Sequence, residues 1–228
     1  LSILPIISEL EKNTEIKQIL VTTGTVTSAK IMDQRLKGKA LHQFLPIDIP
    51  IFIERFLNHR KPSLSIFVES EIWPNFISAL SRKNTKLMIL NGRMTVKSFS
   101  NWLRFKQTAS KLFKNFDLCC AQNSDSAFFY ENLGIKNTIY TGNLKFSSEP
   151  EKTDNKKLQI LKKMVRNRKV LLAASTHKGE EEIIANITSS LKKKNKNFLS
   201  IIVPRHPNRT EFFSNKQKLK IAYRSKNQ

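Results

Sequence analysis

Two carboxylates stand where an otherwise apolar run ends: Leu64 to Val68 is followed by Glu69, Ser70 and Glu71, then Ile72, Trp73 and Pro74. Packing does not explain carboxylates at such a place. If the strand persists, alternating side chains put Glu69 and Glu71 on one side, where either can accept a substrate hydrogen bond or stabilise positive charge. The plainer alternative gives Glu71 to the start of the next helix, whose dipole favours an anion. Cations occupy comparable positions elsewhere. Arg93 follows Asn91 and Gly92, and Lys145 lies in Gly142-Asn143-Leu144-Lys145-Phe146; both suit a carboxylate or a phosphate. Thr22 to Thr27 is a hydroxyl-rich turn able to donate to an anion or simply to cap a helix. Ser175-Thr176-His177-Lys178-Gly179-Glu180 and Pro204-Arg205-His206-Pro207-Asn208-Arg209 bring further hydroxyls and guanidinium groups.

These groups can cooperate only if the backbone gathers them, and the hydrophobic periodicity predicts how. Helix-spaced and β-branched segments alternate throughout, the signature of a layered α/β sheet. Helices are predicted at Leu1–Lys12, Thr27–Lys37, Ile51–His59, from Pro74, Lys97–Lys114 as one long amphipathic piece, and Asp125–Leu133 closed by Gly134. Strands are predicted at Gln18–Thr22, Leu41–Leu45, Leu64–Val68, Lys86–Leu90, Asp117–Ala121 and Thr138–Tyr140. Residues 1–146 thus read as a doubly wound domain, and the polar stretch 147–157 as a linker. Helix Lys156–Arg166, strand Val170–Ala174, helix Glu180–Lys193 and strand Leu199–Val203 begin a second domain over 158–228, which reads as truncated. In such sheets binding collects beyond the carboxyl ends of the strands, where every group named above falls.

The composition is that of a folded chain, with 39% hydrophobic and 25% charged residues. Forty Lys and Arg against eighteen Asp and Glu give a formal charge of +22, which favours phosphorylated or carboxylated ligands, nucleic acid or an anionic membrane surface. Lysine accompanied by abundant Asn and Ile is also what a genome-wide bias produces, so charge alone selects no partner. The adjacent Cys119 and Cys120 lie in an apolar run without metal-ligand spacing and are expected to be buried thiols. No run reaches the ~18 apolar residues of a membrane span, and the start lacks a basic region, a cleavage site and an initiator Met, so further chain is expected upstream.

Taken in order, VTTGTVTS, LPIDIP, VESEIWPN, LNGRM, AQNSD, TGNLKF, AASTHKGEE and IVPRHPNR resemble the 3-deoxy-D-manno-octulosonic acid (Kdo) transferase family over essentially the whole chain. The E-x-E-x-W-P, G-x-L-K-F and P-R-H-P-x-R blocks are the specific ones. The resemblance implies a GT-B glycosyltransferase with a Rossmann-like N-terminal domain facing the acceptor and a second Rossmann-like domain holding the donor. It implies inverting transfer of Kdo from CMP-Kdo to the lipid A precursor, without cofactor or required metal, at the cytoplasmic face of the bacterial inner membrane. By the same resemblance Glu69 and Lys145 support the transition state and Pro204 with Arg205 form part of the CMP site. Ser175, Thr176, His206 and Arg93 are their neighbours. The family's general base, a Glu in an S-x-G-E block, is expected upstream of Leu1, and glycine-rich nucleotide-binding blocks downstream, so the 228 residues alone are expected to be inactive. Ser147 stands where the family often has Asp, and Gly92 where Ala is common.

Two other classes compete. A nucleic-acid-binding protein would exploit the charge, but the 15 Phe fall mostly at apolar positions instead of interleaving with basic residues, so nucleic acid is not expected as a partner. Another GT-B lipid glycosyltransferase or nucleotide-sugar enzyme would share the architecture, since a fold does not fix a function.

Overall fold

Side-chain caps begin four of the helices, as their sequence types dictate. Thr25, Thr95, Asn123 and Asp154 each accept a hydrogen bond from a backbone N–H of the first turn that they open. Proline, with no N–H to lose, opens three others. In a computed structural model describing residues 3–36, 40–147, 153–206 and 219–224, the chain divides into two compact units, residues 1–150 and 151–228.

In the first unit the order is α1 (Leu4–Lys12), β1 (Ile19–Thr23), α2 (Val26–Arg35), β2 (Ala40–Phe44), α3 (Pro50–Arg60), β3 (Leu64–Val68) and α4 (Pro74–Arg82). There follow β4 (Lys86–Gly92), α5 (Val96–Leu103), α6 (Lys106–Phe113), β5 (Leu118–Ala121), α7 (Ser124–Leu133), β6 (Thr138–Tyr140) and a 3-10 turn (Leu144–Ser147). Every strand pair is parallel: β1 with β2, and β3-β4-β5-β6 as a four-stranded sheet. Helices link successive strands, as parallel pairing requires.

The core lies around that four-stranded sheet. Ile53, Leu57, Phe76, Ile77 and Leu80 from α3 and α4 meet Phe67, Leu87 and Ile89 of the strands and Phe113, Phe116, Tyr130 and Leu133 beyond. Phe67 and Phe116 pack edge to face with centroids 5.6 Å apart. Side chains of this kind contribute about 1.5–3 kcal/mol each on burial. Cys119 and Cys120 are free, buried thiols within β5.

One predicted element is corrected. The long helix expected from Lys97 to Lys114 is two helices, broken at Arg104 and Phe105. A straight helix would set Trp102 and Phe113 ~16 Å apart along its axis. Their rings instead meet edge to face at 5.3 Å, while Phe99 of α5 stacks on Phe129 of α7 at 4.5 Å. Two aromatic residues with two different partners outweigh continuous helix.

The second unit comprises α8 (Asn155–Val165), β7 (Lys169–Thr176), α9 (Glu180–Lys194) and β8 (Phe198–Pro204), with β7 and β8 parallel. Among the described residues of the whole chain no helix is long and apolar enough to cross a membrane. Residues 148–152 of the expected linker lie outside the described residues.

Candidate active site

Register brings the carboxyl ends of β3 to β6 level. Val68 pairs with Leu90, Gly92 with Ala121, and Ala121 with Tyr140. Beyond that line the backbone bonding continues for one step: Glu69 donates to the Leu90 carbonyl (3.0 Å), Arg93 to Glu69 (3.3 Å), Gln122 to Gly92 (2.9 Å) and Thr141 to Ala121 (3.0 Å). Glu69, Arg93, Gln122 and Thr141 therefore form one shelf.

The strand does not persist, so the condition under which Glu69 and Glu71 would share a side is not met. The strand stops at Val68 and Glu69 turns into the left-handed region at φ +60, an uncommon conformation for a non-glycine residue. Three neighbours hold it there. Its N–H and carbonyl are bonded to β4 and Arg93, and the Tyr130 hydroxyl lies 3.4 Å from its carbonyl and 3.3 Å from that of Arg93. Ser70 donates to the Arg93 carbonyl at 2.6 Å. Burial pushes the Tyr130 hydroxyl above its ordinary range, so it remains a donor to these carbonyls.

The turn redirects the Glu69 carboxylate toward Lys145. Lys145 Nζ lies 3.7 Å from Glu69 Oε1, with both side chains partly exposed. An ion pair this open contributes only ~0–1 kcal/mol to stability, so its chemistry matters more than its strength. Lys145 rides on the 3-10 turn, whose start is fixed by Asn91: Leu144 N–H donates to Asn91 Oδ1 at 3.2 Å. Asn91 is fully buried, has φ +53, and sits at the irregularity where β4 and β5 change register between Leu90 and Gly92. Gly92 beside it is closely packed, since a Cβ would approach Ile89 Cγ2 and Tyr130 Cε2 to 2.9 Å and oblige those side chains to shift.

Glu71 accepts from the Trp73 indole at 2.9 Å and does not cap α4. That role belongs to Asp48, whose carboxylate accepts from the N–H groups of Asn75 (3.2 Å) and Phe76 (2.9 Å). Sequence reasoning missed Asp48, Asn91 and Tyr130. Asp48 stands between Pro46 and Pro50, a loop signal that gives no hint of a helix 26 residues later, and the roles of Asn91 and Tyr130 arise only from packing. Thr25 is the N-cap of α2, the plainer of the two readings of its turn.

In the second unit the comparable position follows β7. Ser175 adopts φ +59 at the point where the β7–β8 register shifts, between Ala174 and Thr176. Thr176 is buried, donates to Glu181 Oε1 at 2.9 Å, and its carbonyl accepts from Arg205 N–H at 3.0 Å. The first turn of α9 carries Glu180, Glu181 and Glu182, and Glu180 accepts from His177 N–H at 2.7 Å. Pro204 ends β8, with Arg205 and His206 exposed just beyond it. Pro207, Asn208 and Arg209 lie outside the described residues. Glu69, Arg93 and Lys145 thus gather in the first unit, and Ser175, Thr176, Pro204 and Arg205 in the second. Among the described residues no three His, Cys, Asp or Glu side chains converge as a metal site would need.

Residues 1–148 match the protein family described as 3-deoxy-D-manno-octulosonic-acid transferase (kdotransferase). The 3-deoxy-D-manno-octulosonic acid transferase of Rickettsia typhi is 39% identical over 198 residues, covering 87% of this chain and 43% of that protein. The Haemophilus influenzae protein of the same name is 31% identical over 230 residues, covering 98% of this chain and 54% of that protein. The chain thus spans about half the length of these relatives. Among solved structures, UDP-GlcNAc 2-epimerase from Neisseria meningitidis bound to UDP-GlcNAc aligns with a TM-score of 0.61 at 18% identity, covering 91% of this chain and 63% of that one. At that identity the likeness speaks for the fold, an α/β GT-B type with Rossmann-like parallel sheets.

Proposed function

The chain belongs to the 3-deoxy-D-manno-octulosonic acid transferase family, and on that premise we propose that the protein containing it moves Kdo from CMP-Kdo to the lipid A precursor with inversion. The observation that carries this reading is the convergence of Glu69 and Lys145, distant in sequence, to 3.7 Å at the carboxyl edge of the sheet. In the proposed reaction an acceptor hydroxyl forms a bond to the anomeric carbon, the bond from that carbon to the phosphate oxygen breaks, and the hydroxyl proton passes to a base. Positive charge grows at the anomeric centre and negative charge on the departing CMP.

The Lys145 ammonium serves as a donor to the Kdo carboxylate or the leaving phosphate, and the Glu69 carboxylate as a counter-charge for the lysine and for the oxocarbenium-like centre. The second unit would supply the CMP contacts through Pro204 and Arg205. There the first turn of α9 already carries the carboxylates of Glu180, Glu181 and Glu182, which repel an anion, so the work of holding one falls to the Arg205 guanidinium. Arg93, Ser175, Thr176 and His206 line these two places. The reading calls on no metal ion, since Lys145 and Arg205 provide the positive charge. The +22 chain suits a phosphorylated lipid in the anionic cytoplasmic leaflet of the inner membrane.

The test is Kdo transfer from CMP-Kdo to lipid IVA by the full-length gene product. Glu69→Gln and Lys145→Ala are each expected to lower kcat by roughly a hundredfold or more, and Arg205→Ala mainly to raise the KM for CMP-Kdo. Product inhibition by CMP is expected. Inhibition by UDP in its place, with no Kdo transferred, would turn the assignment toward another nucleotide sugar.

A further inference from the structure

We propose that Asn91 is a positioning residue that sets the place of Lys145, an inference that rests on the role assigned to Lys145 above. Asn91 does not meet the substrate in this account; it acts through the turn beside it. Three observations carry the inference. Its side chain is fully buried at the end of β4 in a left-handed conformation, one that asparagine tolerates better than most residues. Its Oδ1 accepts the Leu144 N–H at 3.2 Å, which anchors the 3-10 turn one residue before Lys145. Its Nδ2 is buried without a hydrogen-bond partner among the described residues.

A buried amide donor without a partner is destabilising, so a residue chosen for stability alone would be glycine, which takes the same backbone conformation freely. Aspartate would keep the acceptor for Leu144 but would bring a second carboxylate to the loop where Lys145 already faces Glu69. Asparagine meets both demands, an acceptor for the turn and no added charge, at the cost of one idle donor. The chain folds back through Gly142, at φ +81, to bring Leu144 to it.

The experiment uses the full-length gene product with Asn91→Gly, which permits the same backbone conformation and removes the tether together with its buried side chain. The expected result is a fall of about tenfold or more in kcat, little change in the KM for CMP-Kdo, and no further loss when Asn91→Gly is added to Lys145→Ala. Hydrogen exchange over residues 142–147 is expected to accelerate in Asn91→Gly and to be largely restored in Asn91→Asp, which retains the acceptor. Wild-type turnover in Asn91→Gly, or full additivity with Lys145→Ala, overturns the proposal. So does unchanged exchange at Leu144, whether or not transfer is detected. If the wild-type protein transfers no Kdo, the assigned function fails and the exchange measurement alone decides the tether.

Discussion

The two units use the same device in unlike settings. In each, a residue in the left-handed region stands where two parallel strands change register, Asn91 in the first and Ser175 in the second. Around Asn91 the core is deep: Ile89, Cys119 and Tyr130 are all within 1% of full burial. Around Ser175 the strands are open, with Leu172 61% and Val203 49% exposed. An unusual backbone conformation persists only where its surroundings over-determine it. The first unit has that support within itself, whereas the described residues of the second set Ser175 on a two-stranded ladder beside α9.

Mutations should affect the two units unequally. Leu80→Ala, in the fully buried face of α4, is expected to cost about 2–5 kcal/mol, read by denaturant unfolding. Both tryptophans, Trp73 and Trp102, lie in the first unit, so their fluorescence isolates its transition. Gly92→Ala is next, at about 1–3 kcal/mol, because its Cβ must displace Ile89 or Tyr130. A neutral Gly92→Ala would mean that the shelf adapts more easily than the 2.9 Å approaches suggest.

Asp117 tests a smaller contribution. Its hydrogen bond with Lys86, then that from Leu87 N–H, hold its carboxyl below the usual aspartate range. A lowered folded pKa stabilises above the unfolded value and loses that stabilisation as pH falls through the folded one. The Asp117 side chain is 43% exposed and its pair with Lys86 is screened by solvent, so Asp117→Asn is expected to lower stability by only about 0.5–1 kcal/mol at neutral pH, a deficit that shrinks below about pH 4. Parallel pH–stability curves would remove Asp117 from the account. Smallest of all, Leu172→Ala in β7 should change stability by less than about 0.5 kcal/mol, given its exposure. A loss as large as that of Leu80→Ala would show the second unit's apolar face to be covered in solution, and the contrast would fail.

The alternation of elements was legible because parallel strands buried on both faces leave short apolar runs between amphipathic helices. Leu64–Val68 and Thr138–Tyr140 have the bounds that periodicity predicts. The break at Phe105 was not legible, because no glycine or proline marks it and its cause is the pairing of Trp102 with Phe113. The site was legible by residue type, since carboxylate and ammonium stand out after apolar strands. Its geometry was not. That Glu69 leaves the strand direction depends in part on Tyr130, a residue of α7 whose hydroxyl reaches the carbonyls of Glu69 and Arg93. Local sequence carries no trace of such a bond.

The cysteines of β5 give the sheet a chemical clock. Burial, with smaller help from Cys120 and Glu131, pushes the Cys119 thiol up to about 12, and Cys120 is raised as well. Because the thiolate is the reactive form, neither sulfur should be alkylated while the strand stays covered. The rate of labelling at neutral pH then counts the moments when the sheet beneath Asn91 and Gly92 comes open.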